Sequence, residues 1–182
     1  MKFEELTKER QEEIVNTKRE INVNDDWYGY NLEGIAENIK IKTNIDIKGD
    51  DLMFDFFSKG HSGVWTDRAS LFSAFTDKYP RLEDLDIYEE FGVWAYIGLR
   101  RDDVDDVGIE FYEEDEADDL TELLREKEDE EEKVKIKDDL NVVLDIFTDG
   151  YNNLYKDYDY LTSDEGIIET IKCNEMEFED ED

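Results

Sequence analysis

Proline, cysteine and histidine are almost missing from this chain of 182 residues: Pro80, Cys173 and His61 are the single examples of each. A lone cysteine excludes an internal disulfide framework and suits a reducing compartment. A lone proline excludes a proline-rich linker. No apolar run approaches the roughly 18 residues that a membrane-spanning helix needs. The N-terminal stretch MKFEELTKERQEE is charged from its second residue and has no apolar core of the kind a secretory signal carries. The chain therefore reads as soluble and intracellular. Positive charge is scarce as well. Lys and Arg number 21 against 54 Asp and Glu, a formal net charge of −33. The deficit is uneven, with a net of −8 over residues 1–100 and −25 over 101–182.

What is present is aromatic and apolar mass: ten Phe, ten Tyr and three Trp, with 38 % hydrophobic residues overall. A disordered acidic tail would have lost these residues, and 182 positions suffice for one domain with a real core. A folded surface with so strong a field repels nucleic acid and steers basic proteins towards it in a salt-dependent way. A natural target is a protein whose task is to hold DNA or RNA. Adaptation to high salt is the plainer explanation of such acidity. Halophilic surfaces, however, shed lysine, and here the first 48 positions keep Lys2, Lys8, Lys18, Lys40, Lys42 and Lys48.

The periodicity predicts an α+β fold: a small antiparallel sheet flanked by helices, with a helical C-terminal region. Four regions make up a single expected domain over 1–182: N-terminal helices (1–42), a sheet region (43–112), a helical region (113–178) and a frayed acidic end (179–182). Residues 3–20 alternate charge with a thin apolar stripe of Phe3, Leu6, Ile14 and Val15, as in an exposed helix. Asp25 and Asp26 can cap a second helix that carries Trp27, Tyr30, Ile35 and Ile39. Ile45 and Ile47 then alternate with polar residues. Lys48-Gly49-Asp50 reads as a turn, and Leu52, Phe54 and Phe56 share one strand face, which suggests a hairpin. Val64-Trp65-Thr66, residues 93–99 and residues 107–111 are further strands, and Leu71, Phe72 and Phe75 mark a helix that Pro80 ends. Leu120, Leu123 and Leu124 sit in an acidic helix. The cleanest signal is the stripe Leu140, Val143, Leu144, Phe147, Tyr151, Leu154, Tyr155 and Tyr158, which predicts a long helix buried on one side. Gly150 within it costs about 1 kcal/mol relative to Ala and marks a kink or a close contact. Thr162-Ser163-Asp164-Glu165 has capping-box spacing for a last helix with Ile167, Ile168 and Ile171. Cys173 on that helix is expected to be a small, at least partly buried apolar residue. The terminal EFEDED is expected to be solvated.

Two stretches, FDFFSKGHSGVWT (54–66) and YDYLTSDEGIIETIKCNEMEF (158–178), resemble a family of small acidic proteins encoded by bacteriophages and related mobile elements. The first matches a Ser-x-Gly-x-Gly-x-x-aromatic turn, with Lys59 and His61 in place of the usual Gln and Asp. The second matches the family's C-terminal helix over most of its length. The resemblance implies a phage or mobile-element origin, an α+β fold and residence in the cytoplasm of a bacterial host. In size and charge the chain is similar to anti-CRISPR inhibitors of type II effector nucleases and to DNA-mimicking anti-restriction proteins.

The expected contact surface is the acidic belt of Asp102, Asp103, Asp105, Asp106, Glu110, Glu113, Glu114, Asp115, Glu116, Asp118 and Asp119. Helical carboxylates three or four residues apart lie about 5–6 Å from each other, close to phosphate spacing along a strand. Such rows can occupy a channel lined by Arg and Lys. Trp65 and Trp94 are candidate apolar anchors, and the partner is a basic, nucleic-acid-binding defence nuclease, with a CRISPR effector preferred. The expectation is an inhibitor, not an enzyme, with no metal, no cofactor, no membrane and no strong direct nucleic-acid binding. Other chemistries fit less well. Asp103, Asp105, Gly108 and Glu114 fall at positions 1, 3, 6 and 12 of a calcium loop, but Val107 stands where a ligand is needed. His61 beside Ser58 and Ser62 could serve as a base, yet its glycines suit a tight turn and lack the full phosphate-loop pattern. A metal-dependent enzyme acting on nucleic acid needs convergent carboxylates, and the excess of acid singles out no set.

Overall fold

The computed structural model describes residues 1–24, 26–56, 63–85, 95–97, 109–111 and 130–179. The fold is α+β. Among the described residues are five α-helices: α1 (Lys8–Thr17), α2 (Gly29–Thr43), α3 (Arg68–Lys78), α4 (Glu130–Leu161) and α5 (Asp164–Cys173). Four short strands form two antiparallel pairs: β1 (Leu52–Asp55) with β2 (Gly63–Thr66), and β3 (Ala95–Ile97) with β4 (Ile109–Phe111). No described helix is long and apolar enough to cross a membrane. The expected acidic helix around Leu120, Leu123 and Leu124 lies outside the described residues, as do Lys59, His61 and Trp94. The chain divides into two compact units, one formed by Met1–Tyr28 with Asn153–Asp182 and the other by Gly29–Asn152.

In the first unit, the stripe expected on an exposed helix is instead core. Phe3, Leu6, Ile14 and Val15 cluster with Ile167 and Ile171, and Ile21, Ile168, Met176 and Phe178 pack around them. Residues 3–20 do not make one helix, because Thr7 interrupts them. Its side chain caps α1 by accepting from the Arg10 amide at 3.3 Å, while Gln11 Nε2 donates to the carbonyls of Phe3 and Leu6. These are the groups that a broken helix leaves without intrahelical partners. Ser163, not Thr162, caps α5 and accepts from the Gly166 amide at 3.1 Å. Gly166 is required there, since a Cβ would run into the carbonyl oxygen of Tyr160. Cys173 is exposed, against expectation, because Ile167 and Ile171 already occupy the inward face of α5. The start of EFEDED is not free either. Glu177 bridges Lys2, the Phe178 amide donates to the Met1 carbonyl at 3.0 Å, and the Phe178 ring meets Phe3 edge-on at 6.2 Å. An apolar ring next to the core holds the acidic end against the N-terminus.

In the second unit, α2 ends at Asn44, whose φ of 59° is the left-handed conformation that asparagine tolerates at a helix end. Trp27 lies in the turn before this helix, not within it. Ile45 and Ile47 are buried and alternate with exposed neighbours, yet they form no strand. Gly49 abuts the backbone of Glu33, where a Cβ would lie 3.1 Å from Glu33 Cα, so residues 48–51 lie on α2 and close a 3₁₀ turn. The strand partner of β1 is therefore β2, with Leu52 opposite Thr66 and Phe54 opposite Val64. The expected strand at 64–66 is present as β2, and the described parts of those at 93–99 and 107–111, residues 95–97 and 109–111, are β3 and β4. Asp67 caps α3 by accepting from the amides of Ala69 and Ser70 and from the Ser70 hydroxyl. Pro80 stands just beyond the helix.

The long helix α4 follows the predicted stripe. Leu140, Val143, Leu144, Phe147, Tyr151 and Leu154 are buried, whereas Tyr155 is exposed. Gly150 is a close contact: a Cβ there would collide with Ile35, at 2.7 Å from Cγ1 and closer still to Cδ1. Replacing Gly150 with Ala gains about 1 kcal/mol of helix propensity but overpacks a buried contact, which costs about 1–3 kcal/mol. Urea unfolding is expected to show a net loss for Gly150→Ala, and Ile35→Val in the same chain should recover part of it. An equal loss with and without the valine would disprove the contact.

The cap on α3 predicts a pH dependence. Hydrogen bonds from Ser70 to the Asp67 carboxylate hold its pKa below the usual carboxylate value. The folded state thus favours the ionised form, and the cap stabilises the fold above the ordinary carboxylate range. That contribution is lost as pH falls through the lowered folded-state value. Asp67→Ala is expected to cost about 1 kcal/mol at pH 7. The difference from the parent chain should shrink on acidification below about pH 4, read by unfolding at several pH values.

Candidate interaction surface

Of the sequence-predicted belt, Asp102, Asp103, Asp105, Asp106, Glu113, Glu114, Asp115, Glu116, Asp118 and Asp119 lie outside the described residues. Glu110 sits on β4, opposite Tyr96 on β3. Trp65 is half-buried on β2 and faces Met53 across the ladder, and Met53 is exposed. That cross-strand pair leaves apolar surface within reach of solvent.

A second acidic row, not singled out in the sequence, lies on α4. Glu131, Asp138, Asp145 and Asp149 are all exposed and follow intervals of seven, seven and four residues. At 3.6 residues per turn these intervals keep the carboxylates within one narrow sector of the helix. The sector lies opposite the buried Leu140, Val143, Phe147 and Tyr151. With a rise of about 1.5 Å per residue, adjacent members are spaced by about 10 Å, 10 Å and 6 Å. The signal was available as the complement of the apolar stripe: every strongly one-sided helix has an opposite face, and here that face is acidic.

Basic side chains are drawn into contacts with the protein's own acids. In the second unit, Lys40 pairs with Asp46 at 2.9 Å and Lys135 with Glu131 at 2.9 Å. The partly buried Lys78 ammonium donates to Asp139 and to the Thr43 carbonyl, and the Tyr79 hydroxyl donates to the same Asp139 oxygen at 2.6 Å. This cluster joins the C-terminal ends of α2 and α3 to α4. In the first unit, Arg10 pairs with Glu13 at 2.7 Å, and Arg19 binds Asp164 and the Thr162 carbonyl. Lys172 approaches Glu4 at 3.7 Å. Surface pairs of this kind stabilise by at most about 1 kcal/mol each. Their larger consequence is spatial, since each cation is held beside an acid of the same chain. Near α5, the Tyr160 hydroxyl donates to Glu169, which raises the tyrosine pKa.

Among the described residues, no group of three or more His, Cys, Asp or Glu is arranged to hold a metal ion. An open groove of about 410 Å³ follows the end of α1, lined by residues that include Asn16, Lys18, Arg19 and Asn24. Its lining is mainly polar, and Arg19 is committed to Asn16, Thr162 and Asp164. Compared with protein-family models, with curated proteins and with solved structures, the chain matches none.

The row on α4 predicts a salt-dependent stability. In the row, Asp145 and Asp149 stand four residues apart, and a like-charge pair at that spacing destabilises a helix by about 0.2–0.5 kcal/mol. Asp149→Asn, which removes that repulsion, is expected to raise the urea midpoint at low ionic strength. The gain should vanish at about 1 M salt, where the Debye length is about 3 Å. A gain that persists at high salt would mean that the carboxylates do not repel one another through solvent.

Proposed function

We propose that this protein is a stoichiometric inhibitor that binds a basic, nucleic-acid-holding partner through an acidic surface mimicking nucleic acid. The preferred partner is a type II RNA-guided effector nuclease of a bacterial host, and the step blocked is DNA binding or cleavage. The observation that carries this reading is the net charge of −33 on a chain that nonetheless folds around apolar cores. An uncompensated field of that size disfavours the compact state, so its retention is accounted for by a partner of opposite sign. The ion pairs support the reading, because they hold cations next to the protein's own acids. The resemblance of residues 54–66 and 158–178 to phage-encoded proteins supplies the choice of a defence nuclease.

Mechanistically, charge sets the encounter rate and its salt dependence, while a few desolvated side chains set the lifetime of the complex. Carboxylate rows enter a channel lined by Lys and Arg and release the counterions held there. The belt from Asp102 to Asp119 and the row on α4 are the surfaces offered for this contact.

The test is binding to a guide-loaded type II effector at low and at high salt, with and without target DNA. The expected result is tight binding that weakens with salt and excludes DNA. Reversing any four belt charges should abolish inhibition with the fold intact, whereas one reversal should do little. Binding that coexists with DNA would replace competition by a conformational block. Absence of any salt-sensitive complex with the effector or with a restriction nuclease would reject the reading.

A further inference from the structure

The solvent face of α2 has a composition that folding alone does not explain. Tyr30, Gly34, Glu37 and Ile41 follow intervals of four, three and four residues, which places them within one narrow sector of the helix. Tyr30 is 86 % exposed and Ile41 73 %. Single exposed apolar residues are ordinary on protein surfaces. Two that are this exposed, aligned about 16 Å apart on one helix face, are a more specific arrangement. Between them Gly34 interrupts the helix surface, and a Cβ there would meet nothing within 4 Å among the described residues. Gly34 thus carries the helix penalty of glycine without an internal neighbour that demands it. The opposite face, with Leu32, Ile35, Ala36 and Ile39, is buried, so α2 is anchored to the fold independently of its outer residues.

From this we infer that the outer face of α2 is the apolar anchor of the partner interface, and that its occupant is a basic amphipathic helix of the partner. The inference rests on the proposed reading of the protein as a binder of basic partners, and it names the place where the lasting contact is made. Three features select the occupant. The gap at Gly34 lets a helix backbone approach closely, with Tyr30 and Ile41 packing on either side, as ridges pack into grooves. Glu33 and Glu37 are exposed beside that gap, while Lys40 is held by Asp46, so the charge offered at the centre of the face is negative. A second copy of this chain is disfavoured by the repulsion between two bodies of net charge −33. A cationic helix with an apolar stripe matches both the shape and the field.

The test uses the full-length protein and a synthetic amphipathic helical peptide of leucine and lysine, with a leucine–glutamate peptide of the same pattern as control. Affinity is measured at about 0.1 M and about 1 M salt, which shortens the Debye length from about 10 Å to about 3 Å. Backbone amide shifts locate the contact. The expected result is binding of the lysine peptide alone, with a component that survives high salt and shifts centred on Tyr30, Gly34 and Ile41. Tyr30→Ala with Ile41→Ala should weaken that surviving component at least tenfold. Glu33→Lys with Glu37→Lys should weaken binding chiefly at low salt. Gly34→Gln separates fold from contact: it should raise the thermal midpoint by improving helix propensity and lower affinity by filling the gap. Amide shifts centred elsewhere, or high-salt binding indifferent to these variants, would overturn the assignment to α2 and leave the reading as a basic-partner binder standing. Failure of the lysine peptide to bind at either salt would overturn both.

Discussion

Thirty-three uncompensated negative charges repel one another over distances up to the Debye length, so every packed contact in this protein forms against a field that favours expansion. The two units meet that constraint in the same way. Each separates apolar from charged residues sharply. In the first, Phe3, Leu6, Ile14 and Val15 turn inward with Ile167 and Ile171, while Glu9, Glu12 and Glu13, on α1 with Ile14 and Val15, remain in water. In the second, α4 keeps Leu140, Phe147 and Tyr151 buried and Asp138, Asp145 and Asp149 exposed. Cations are few, and several stand where chain segments must be held together. Lys78 joins Asp139 to the end of α2, and Arg19 joins the α4–α5 junction to the segment after α1. A cation at either place satisfies carbonyl and carboxylate oxygens that would otherwise be left short of donors.

Where burial follows a regular period, the fold was legible in the sequence. The stripe from Leu140 to Leu154 and the helix that Pro80 closes lie where their spacing placed them, and the short strands lie where alternation placed them. Where two structures share one period, the reading was ambiguous. Ile45 and Ile47 alternate as a strand would, and they are buried as a strand's inner face would be, yet no ladder forms. Gly49 lies against α2 at Glu33, a contact made at a distance in sequence that no local pattern encodes. The N-terminal stripe had the right residues and the wrong solvent, because its covering partner, α5, follows about 150 residues later. The candidate surface was legible only as composition. Excess acid identifies a field but ranks no carboxylate above another, whereas geometry resolved the row on α4 by showing which side of the helix is covered.

Long-range charge and short-range packing do different work in the proposed interface. A field from scattered carboxylates accelerates encounter with a basic surface, but it is screened by salt and is nearly indifferent to the order of the acids. It therefore selects a class of partner and not a pose. Orientation needs groups that are desolvated only when matched, and these are the exposed aromatic and aliphatic side chains. Trp65 with Met53 on the strand pair and Tyr30 with Ile41 on α2 are of that kind.

Gly150 and Gly34, both inside helices, make the same point from the side of stability. Gly150 and Gly34 each forgo the backbone restriction that alanine would supply, about 1 kcal/mol in a helix interior. For Gly150 the reason is internal: Ile35 occupies the space that a side chain would fill, and the close approach of α2 and α4 depends on it. For Gly34 the space is open among the described residues, whose packing gives no reason for glycine there. In the proposed complex, the place of that missing side chain is taken by the partner, which comes equally near. The flanking residues agree, because Tyr30 and Ile41 expose apolar area on the same side, which also contributes nothing to the core while it remains in water. Helix propensity and exposure are independent physical quantities, and in the proposed complex the cost of each on α2 is offset by covering its outer face.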